Sequence, residues 1–286
     1  MTPQDDPSLN RRKLRLALRD AREGAKLTQR DAATALEWSP SKLIRVETGT
    51  VGVSVTDLRA LLKLYQVRDP RKVTELEAAA RGSKGASWWS SFHDVLNPQF
   101  AKYLGYETAA TSLRTYHPIV VPGHLHTHQY ATALLEARGL EGKRLERLVE
   151  LRMLRQERMF NGRSRPPARF VLDEAALRRQ VGGREVMRGQ LDALEAFGAR
   201  DDVSIRVLPF ESGAHYSTLG SFVLLTFEED DDLLYLEHAA GSMTGGEDMD
   251  LLGRYQECFE TLMDRSLDEN DSLNLIRRIK EDLGVS

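Results

Sequence analysis

The sequence predicts a multidomain chain: an all-α bundle of five short helices, followed by a larger domain of mixed α/β (α+β) build. Three observations predict it. Apolar residues recur at helical spacing between capping residues through the first eighty or so positions, and later segments alternate or run apolar as strands do. The charge divides with them. Residues 1–85 carry 17 lysines and arginines against 11 acidic residues, whereas the whole 286-residue chain has a formal net charge of −3, so the remainder is acidic. A basic field on one small domain raises its affinity for phosphate, and an acidic neighbour lowers its own.

Composition narrows the class. The chain is 41% hydrophobic and 29% charged, ordinary for a globular protein. No stretch approaches the ~20 apolar residues of a membrane-spanning helix. The start, MTPQDDPSLNRRK, lacks the apolar core of a secretory signal. Cys258 is the only cysteine, which rules out an internal disulfide and favours a reducing compartment. A cytoplasmic protein with no membrane partner is expected.

The expected division is a disordered tail over 1–9, a helical domain over 10–81, a GSKGAS linker over 82–87 and an α/β domain over 88–286. In the first helix Leu14, Leu18 and Ala21 form the apolar stripe, Arg11, Arg12, Arg15, Arg19 and Arg22 occupy the other faces, and Gly24 is the stop. Thr28 reads as the next N-cap, with Asp31 three residues on completing a capping box. Ala32, Ala35 and Leu36 give that helix a thin apolar face. Ser39 is a further N-cap, Pro40 suits the first helical position, and Gly49 ends the third helix. There Leu43 and Val46 turn inward while Ser41, Lys42, Ile44 and Arg45 turn outward. Val55, Leu58, Leu61, Leu62 and Tyr65 mark a fourth helix, and residues 70–81 a fifth.

Two short helices joined by a turn, the second offering polar and basic residues near its start, form the unit that lays a recognition helix in the major groove. Lysine and arginine donate to guanine, serine serves several bases, and Ile44 suits a thymine methyl. Gln29, with Arg30 beside it, is placed for a phosphate contact at a helix N-terminus. The expected DNA-contacting set is therefore Gln29, Arg30, Ser39, Ser41, Lys42, Ile44 and Arg45, and the partner is double-stranded DNA. A small helical bundle that binds protein is the plainer alternative. Thr28-Gln29, Ala32-Ala33, Leu36, Ser39-Pro40-Ser41-Lys42 and Arg45-Val46-Glu47-Thr48-Gly49 resemble a lambda-repressor-like helix-turn-helix domain of the xenobiotic-response-element (XRE) type. Such turns usually carry glycine where this chain has Glu37. A side chain held at positive φ costs about 1 kcal/mol, so an adjusted turn is expected.

Beyond the linker, HTHQYATALLEARG, EGKRLERLVELRMLRQERMF and YQECFETLMD read as helices. ARFVLDEAAL reads as a strand turning into a helix, and VSIRVLP, SFVLLTF and LLYLEHA as strands, SFVLLTF a central one. The acidic run Glu228 to Asp232 reads as a solvated hairpin loop. This half resembles the large domain, long catalogued as one of unknown function, that follows such helix-turn-helix modules in regulators of filamentous actinobacteria. Tyr116-His117-Pro118, Val121-Pro122-Gly123, Thr127, Tyr130-Ala131, Arg152, Arg155-Gln156-Glu157, FVLDEAALRR through Val181-Gly182-Gly183, VLPFESGAH, GSFVLLTF and YLEHAAGS carry the resemblance. It implies an antitoxin-like regulator encoded beside a short partner protein, implicated in development and secondary metabolism, with no catalytic residues. The expected function is a sequence-specific transcriptional regulator that binds operator DNA as a homodimer, with a C-terminal domain that senses a ligand or partner. The alternative is an antitoxin-like protein that sequesters a small partner encoded by a neighbouring gene and autoregulates its operon.

Relatives usually carry Leu and Gln where this chain has His124 and His126. With His117 and His128 they put four histidines in twelve residues. His-x-His-x-His on an extended segment would aim three imidazoles to one side, as a zinc or nickel site needs. His128, however, reads as the start of a helix, and no carboxylate or thiol lies near in sequence. No metal or cofactor is therefore expected. Gly182-Gly183 and Gly245-Gly246 lack the spacing and lysine of a phosphate loop, there is no Gly-x-Ser-x-Gly elbow, and Cys258 reads as a buried structural thiol. Trp88, Trp89 and Phe92 read as core, and no enzyme is expected.

Overall fold

The computed structural model describes residues 7–47, 52–85, 87–162, 165–215, 220–228, 231–238, 241–244 and 249–284. The chain forms two compact units, Met1–Ser90 and Ser91–Ser286. The N-terminal unit is the expected all-α bundle: α1 (Pro7–Gly24), α2 (Gln29–Ala35), α3 (Pro40–Glu47), α4 (Val55–Leu64) and α5 (Pro70–Gly82). Leu14 and Leu18 of α1, Ala32 and Ala33 of α2, Leu43 and Val46 of α3, and Leu58, Leu61 and Leu62 of α4 close its core. The alanines let α2 sit close, as their small volume requires. Ser54 accepts from the Asp57 N–H and Asp69 from the Arg71 N–H, so each of the last two helices starts on a side-chain cap.

Helix boundaries differ from expectation at both ends of this unit. The first helix begins at Pro7, inside the expected tail, and the fifth takes Gly82 from the expected linker. Gly24 is the last residue of α1 and not its left-handed stop; Lys26 takes that conformation, at φ 58°. Gln66 does the same after α4, at φ 59°. Two of the expected outward arginines are buried, Arg12 and Arg22 at 2% and 8% exposure, because the helix is packed over more than its leucine stripe. Gly49, expected to end α3, lies outside the described residues.

The C-terminal unit is built on a six-stranded sheet in the order β3-β2-β1-β4-β5-β6. Helix α6 (Pro98–Ala109), capped by Asn97, leads into β1 (Ser112–His117). From there α7 (His128–Glu136) and α8 (Gly142–Asn161) carry the chain to β2 (Ala168–Asp173), and α9 (Glu174–Arg178) and α10 (Gly183–Gly198) carry it to β3 (Val203–Leu208). These three strands are parallel, as helical crossovers require. The remaining strands, β4 (Phe222–Thr226), β5 (Leu233–His238) and β6 (Gly241–Thr244), are antiparallel, and β4 lies against β1 with Tyr116 opposite Phe222. Helices α11 (Met249–Arg265) and α12 (Glu269–Asp282) close the unit. Phe259 and Leu262 of α11 pack on Tyr116, Val171, Phe222 and Leu224 of the sheet.

Two further details position this unit. Gly182 sits at φ +71° before α10, and a Cβ there would fall 2.7 Å from that of Ala133, so the turn admits only glycine. Asp232, expected in a solvated acidic loop, is half-buried and accepts from Gln256 at 2.9 Å and pairs with Arg114 at 3.5 Å. The loop's last carboxylate thus ties the hairpin to β1 and α11. Of the aromatics expected as core, Phe92 in this unit and Trp89 at the end of the N-terminal unit are buried, while Trp88 is half-buried.

Candidate DNA-binding interface

The helix pair α2–α3 is fixed at its start, its turn and its underside. Thr28 accepts from the Asp31 N–H at 3.1 Å, and the Asp31 carboxylate reaches back to the Thr28 N–H at 3.1 Å, completing the capping box. The Thr28 hydroxyl and N–H hold the exposed Asp31 carboxyl below its usual range. At the other end of α2 the Trp38 N–H bonds Ala33 O at 2.8 Å, which requires Glu37 in the left-handed region, at φ 55°. The turn is therefore not adjusted around the missing glycine, contrary to expectation, and a glutamate carries the strain. Ser39 then accepts from the Lys42 N–H at 3.2 Å and starts α3.

Beneath the pair lies Glu47, the last residue of α3, 5% exposed. Its carboxylate accepts from Arg22 Nε at 2.8 and 3.1 Å, from Gln29 Nε2 at 2.8 Å and from the Tyr65 hydroxyl at 3.4 Å. One acidic group so joins α1, α2, α3 and the C-cap of α4. Burial opposes the Arg22 charge, but the Glu47 hydrogen bond and charge outweigh it and hold the guanidinium pKa above its ordinary value. Burial, reinforced by the same carboxylate, pushes the Tyr65 phenol up. Sequence reasoning missed Glu47, since a helix-end glutamate usually reads as solvated. The signal that could have found it is its place four residues after Leu43 and one after Val46, which puts it on the inward face of the helix.

The expected contact residues separate into two groups. Ser39, Ser41, Ile44 and Arg45 are exposed, Ile44 at 42%, and the last three share the outer face of α3. Arg30 is exposed at the start of α2. Gln29 and Lys42 differ from expectation. The Gln29 amide turns inward and donates to the Glu47 carboxylate at 2.8 Å. The Lys42 amine lies 3.6 Å over the Trp38 ring and 3.2 Å from the Asp57 carboxylate. A cation gains more from a ring face and a carboxylate than from open water, so Lys42 folds back over the turn.

In the C-terminal unit His117, His124 and His126 lie near enough to feel one another's charge, yet among the described residues no three histidine, cysteine or acidic groups are placed to hold a metal. His128 opens α7. His124 Nε2 lies 2.7 Å from Glu107 Oε2, whose other oxygen accepts from Arg155 Nε at 2.8 Å; Tyr103 donates to the same carboxylate at 2.7 Å. Burial would raise the Glu107 pKa, but Arg155 and His124 hold it well below the carboxylate range. His126 donates Nε2–H to Val121 O at 2.7 Å, and its Nδ1 faces Arg152 at 3.2 Å. Burial, then the Arg152 charge, lowers His126 to about 3; burial, then His124 and Arg155, lowers His117 to about 3. These imidazoles are neutral parts of a polar core.

A capped, buried-ion-locked pair of helices presenting an outer polar face defines a helix-turn-helix protein. Residues 13–76 match the family model described as a helix-turn-helix domain, and residues 100–278 match the model described as a domain of unknown function (DUF5753). The second match spans more than half of the chain, and the protein belongs to the DUF5753 family. No curated protein and no solved structure matches the chain. Among the described residues no helix is long and apolar enough to cross a membrane.

Proposed function

We propose that the protein is a sequence-specific transcriptional regulator that reads operator DNA through α3. The observation that carries this reading is the outer face of that helix. Ser41, Ile44 and Arg45 stand exposed on a helix whose inner side is immobilised by Leu43, Val46 and Glu47. Ile44 is an apolar side chain held out in water on an otherwise polar face, which suits a thymine methyl, and Arg45 beside it suits guanine. Arg30, at the N-terminus of α2, serves a phosphate. Gln29 steadies α3 from below through Glu47 instead of touching DNA, and Lys42 shapes the turn. One helix reads too few base pairs for useful specificity, so the protein acts as a homodimer on a two-fold operator, and its C-terminal domain receives the signal.

Genome-wide mapping of bound sites supplies the operator, and anisotropy titrations on that duplex then test the assignment. Arg45→Ala lowers affinity by about 1–3 kcal/mol and relaxes sequence preference at one position. Arg30→Ala weakens all sequences alike and reduces the salt slope by about 1. Wild-type affinity and slope in both variants, or no enriched genomic site, would overturn the reading.

A further inference from the structure

The C-terminal unit holds a cavity of 410 Å3 beside α11, lined by His215, Arg254, Glu257, Cys258, Thr261 and Leu262. It lies where the parallel strands end. Tyr116 is near the close of β1, Asp173 is the last residue of β2, and His215 follows β3. Here too the strand order reverses, with β2 and β3 on one side of β1 and β4 on the other. In open sheets with parallel strands, such a reversal at the carboxyl ends is where a crevice for ligands forms.

The cavity wall carries an unmet acceptor. His215 is half-buried as a residue, with its side chain only 6% exposed. Its Nε2 lies 3.3 Å from the Tyr116 hydroxyl, which lies 3.5 Å from Asp173 Oδ2. The other Asp173 oxygen accepts from the Ala175 N–H at 2.9 Å. When the phenol gives its single proton to the Asp173 carboxylate, which cannot donate, its oxygen takes the proton of His215 Nε2. In that tautomer Nδ1 is a lone-pair acceptor. It is buried and has no hydrogen-bond partner among the described residues. A polar atom left this way is costly unless a donor reaches it. The lining around it is mixed: Cys258 and Leu262 are buried and apolar, while Arg254 and Glu257 stand exposed one helical turn apart at the mouth.

We propose that this cavity binds a small amino-acid-like molecule. A hydroxyl or amino donor on its side chain meets His215 Nδ1, its apolar body lies against Cys258 and Leu262, and its zwitterionic head sits between the Arg254 guanidinium and the Glu257 carboxylate. A forked guanidinium matches the ligand's carboxylate, and Glu257 takes its ammonium. The size and lining are those of a small-molecule site. The proposal concerns the C-terminal unit alone and stands apart from the DNA-binding reading.

Cys258 is the only cysteine of the chain and lies on the cavity wall, so its alkylation by iodoacetamide, followed by intact mass on the native full-length protein, reports occupancy. The probe is L-tyrosine near its solubility limit. It slows alkylation, and L-phenylalanine, which lacks only the donor, binds about fivefold more weakly, the worth of one hydrogen bond. Tyramine, without the carboxylate, and p-hydroxyphenylpropionate, without the ammonium, also protect less. These comparisons need no variant. Arg254→Ala, a change at an exposed position, removes the difference between tyrosine and tyramine. Equal protection by tyrosine and phenylalanine, no protection by tyrosine, a thiol that reacts only in urea, or an Arg254→Ala protein that still separates tyrosine from tyramine would each overturn the proposal.

Discussion

Glu47→Ala is the most informative single change in the N-terminal unit. The substitution removes the acceptor shared by Arg22, Gln29 and Tyr65. The Arg22 and Glu47 side chains are 10% and 3% exposed, so the stranded guanidinium is a buried charge, retaining the Leu27 carbonyl at 2.9 Å and the rim carboxylate of Glu23 at 3.4 Å. Breaking a buried pair by removing one partner costs about 3–5 kcal/mol, most of it the desolvation of the charge left behind. A bundle of this size has roughly 4–10 kcal/mol in all, so the variant sits near its unfolding midpoint. All three tryptophans, Trp38, Trp88 and Trp89, lie within residues 1–90, and intrinsic fluorescence of the full chain therefore reads this unit selectively during urea unfolding. With a slope of about 1 kcal/mol per molar urea, the midpoint falls by about 3–5 M. The control is Arg22→Met with Glu47→Leu, which removes both charges; it recovers most of the loss, because apolar packing replaces a buried pair at little cost. A Glu47→Ala midpoint within about 1 M of the wild type, or a double variant as unstable as the single one, would refute the account of a buried charge held chiefly by Glu47.

Three other outcomes follow from the geometry. Glu37→Gly raises the stability of the same unit by about 1 kcal/mol, read as an increased urea midpoint, since glycine takes φ 55° without the Cβ strain. The C-terminal unit loses stability on acidification. His117 and His126 are lowered to about 3 in the fold while the unfolded chain titrates near 6.5, so their neutral burial contributes fully above that value and is lost as pH falls toward 3. The depressed Glu107 adds a further loss below the ordinary glutamate range. Thermal melts followed by circular dichroism at pH 7.5 and 5 show the drop, and His126→Gln makes it shallower; a flat profile counts against the buried neutral assignments. On DNA, loss of Arg45 acts on sequence preference and loss of Arg30 on salt dependence, a separation that identical effects of the two substitutions would dissolve.

What the sequence displays is what local chemistry determines. Thr28 with Asp31, and Ser39 with Pro40, announce two helix starts because capping needs only neighbours in the chain. The strands of VSIRVLP and SFVLLTF show because alternation and apolar runs are local too. The misplaced residues answer to distant partners. Arg22 and Gln29 turn inward for Glu47, 25 and 18 positions away, and Lys42 folds back for Asp57, 15 positions away. On a helical wheel each stands beside buried residues, Arg22 four after Leu18, Gln29 three before Ala32 and Lys42 four before Val46, but the partner that draws it in does not show. Left-handed closure gave a smaller surprise. Lys26, Glu37 and Gln66 all adopt it without glycine, since the chain reversal after each helix is imposed by the core rather than by the turn residue. The pairing of His215 with the Cys258 wall joins residues from separate elements, a meeting that periodicity does not encode.

Strand β1 has a consequence for synthesis. Every helix of the N-terminal bundle finds its neighbours before Ser91 has been added, so this unit closes early as the chain leaves the ribosome. β1, by contrast, takes one neighbour from residues 168–172 and the other only from residues 222–226. Until then the nascent polypeptide carries a strand with an unsatisfied flank of backbone N–H and C=O groups, the state that invites mispairing between chains. The first module is thus folded while its companion is still a template awaiting its last strands.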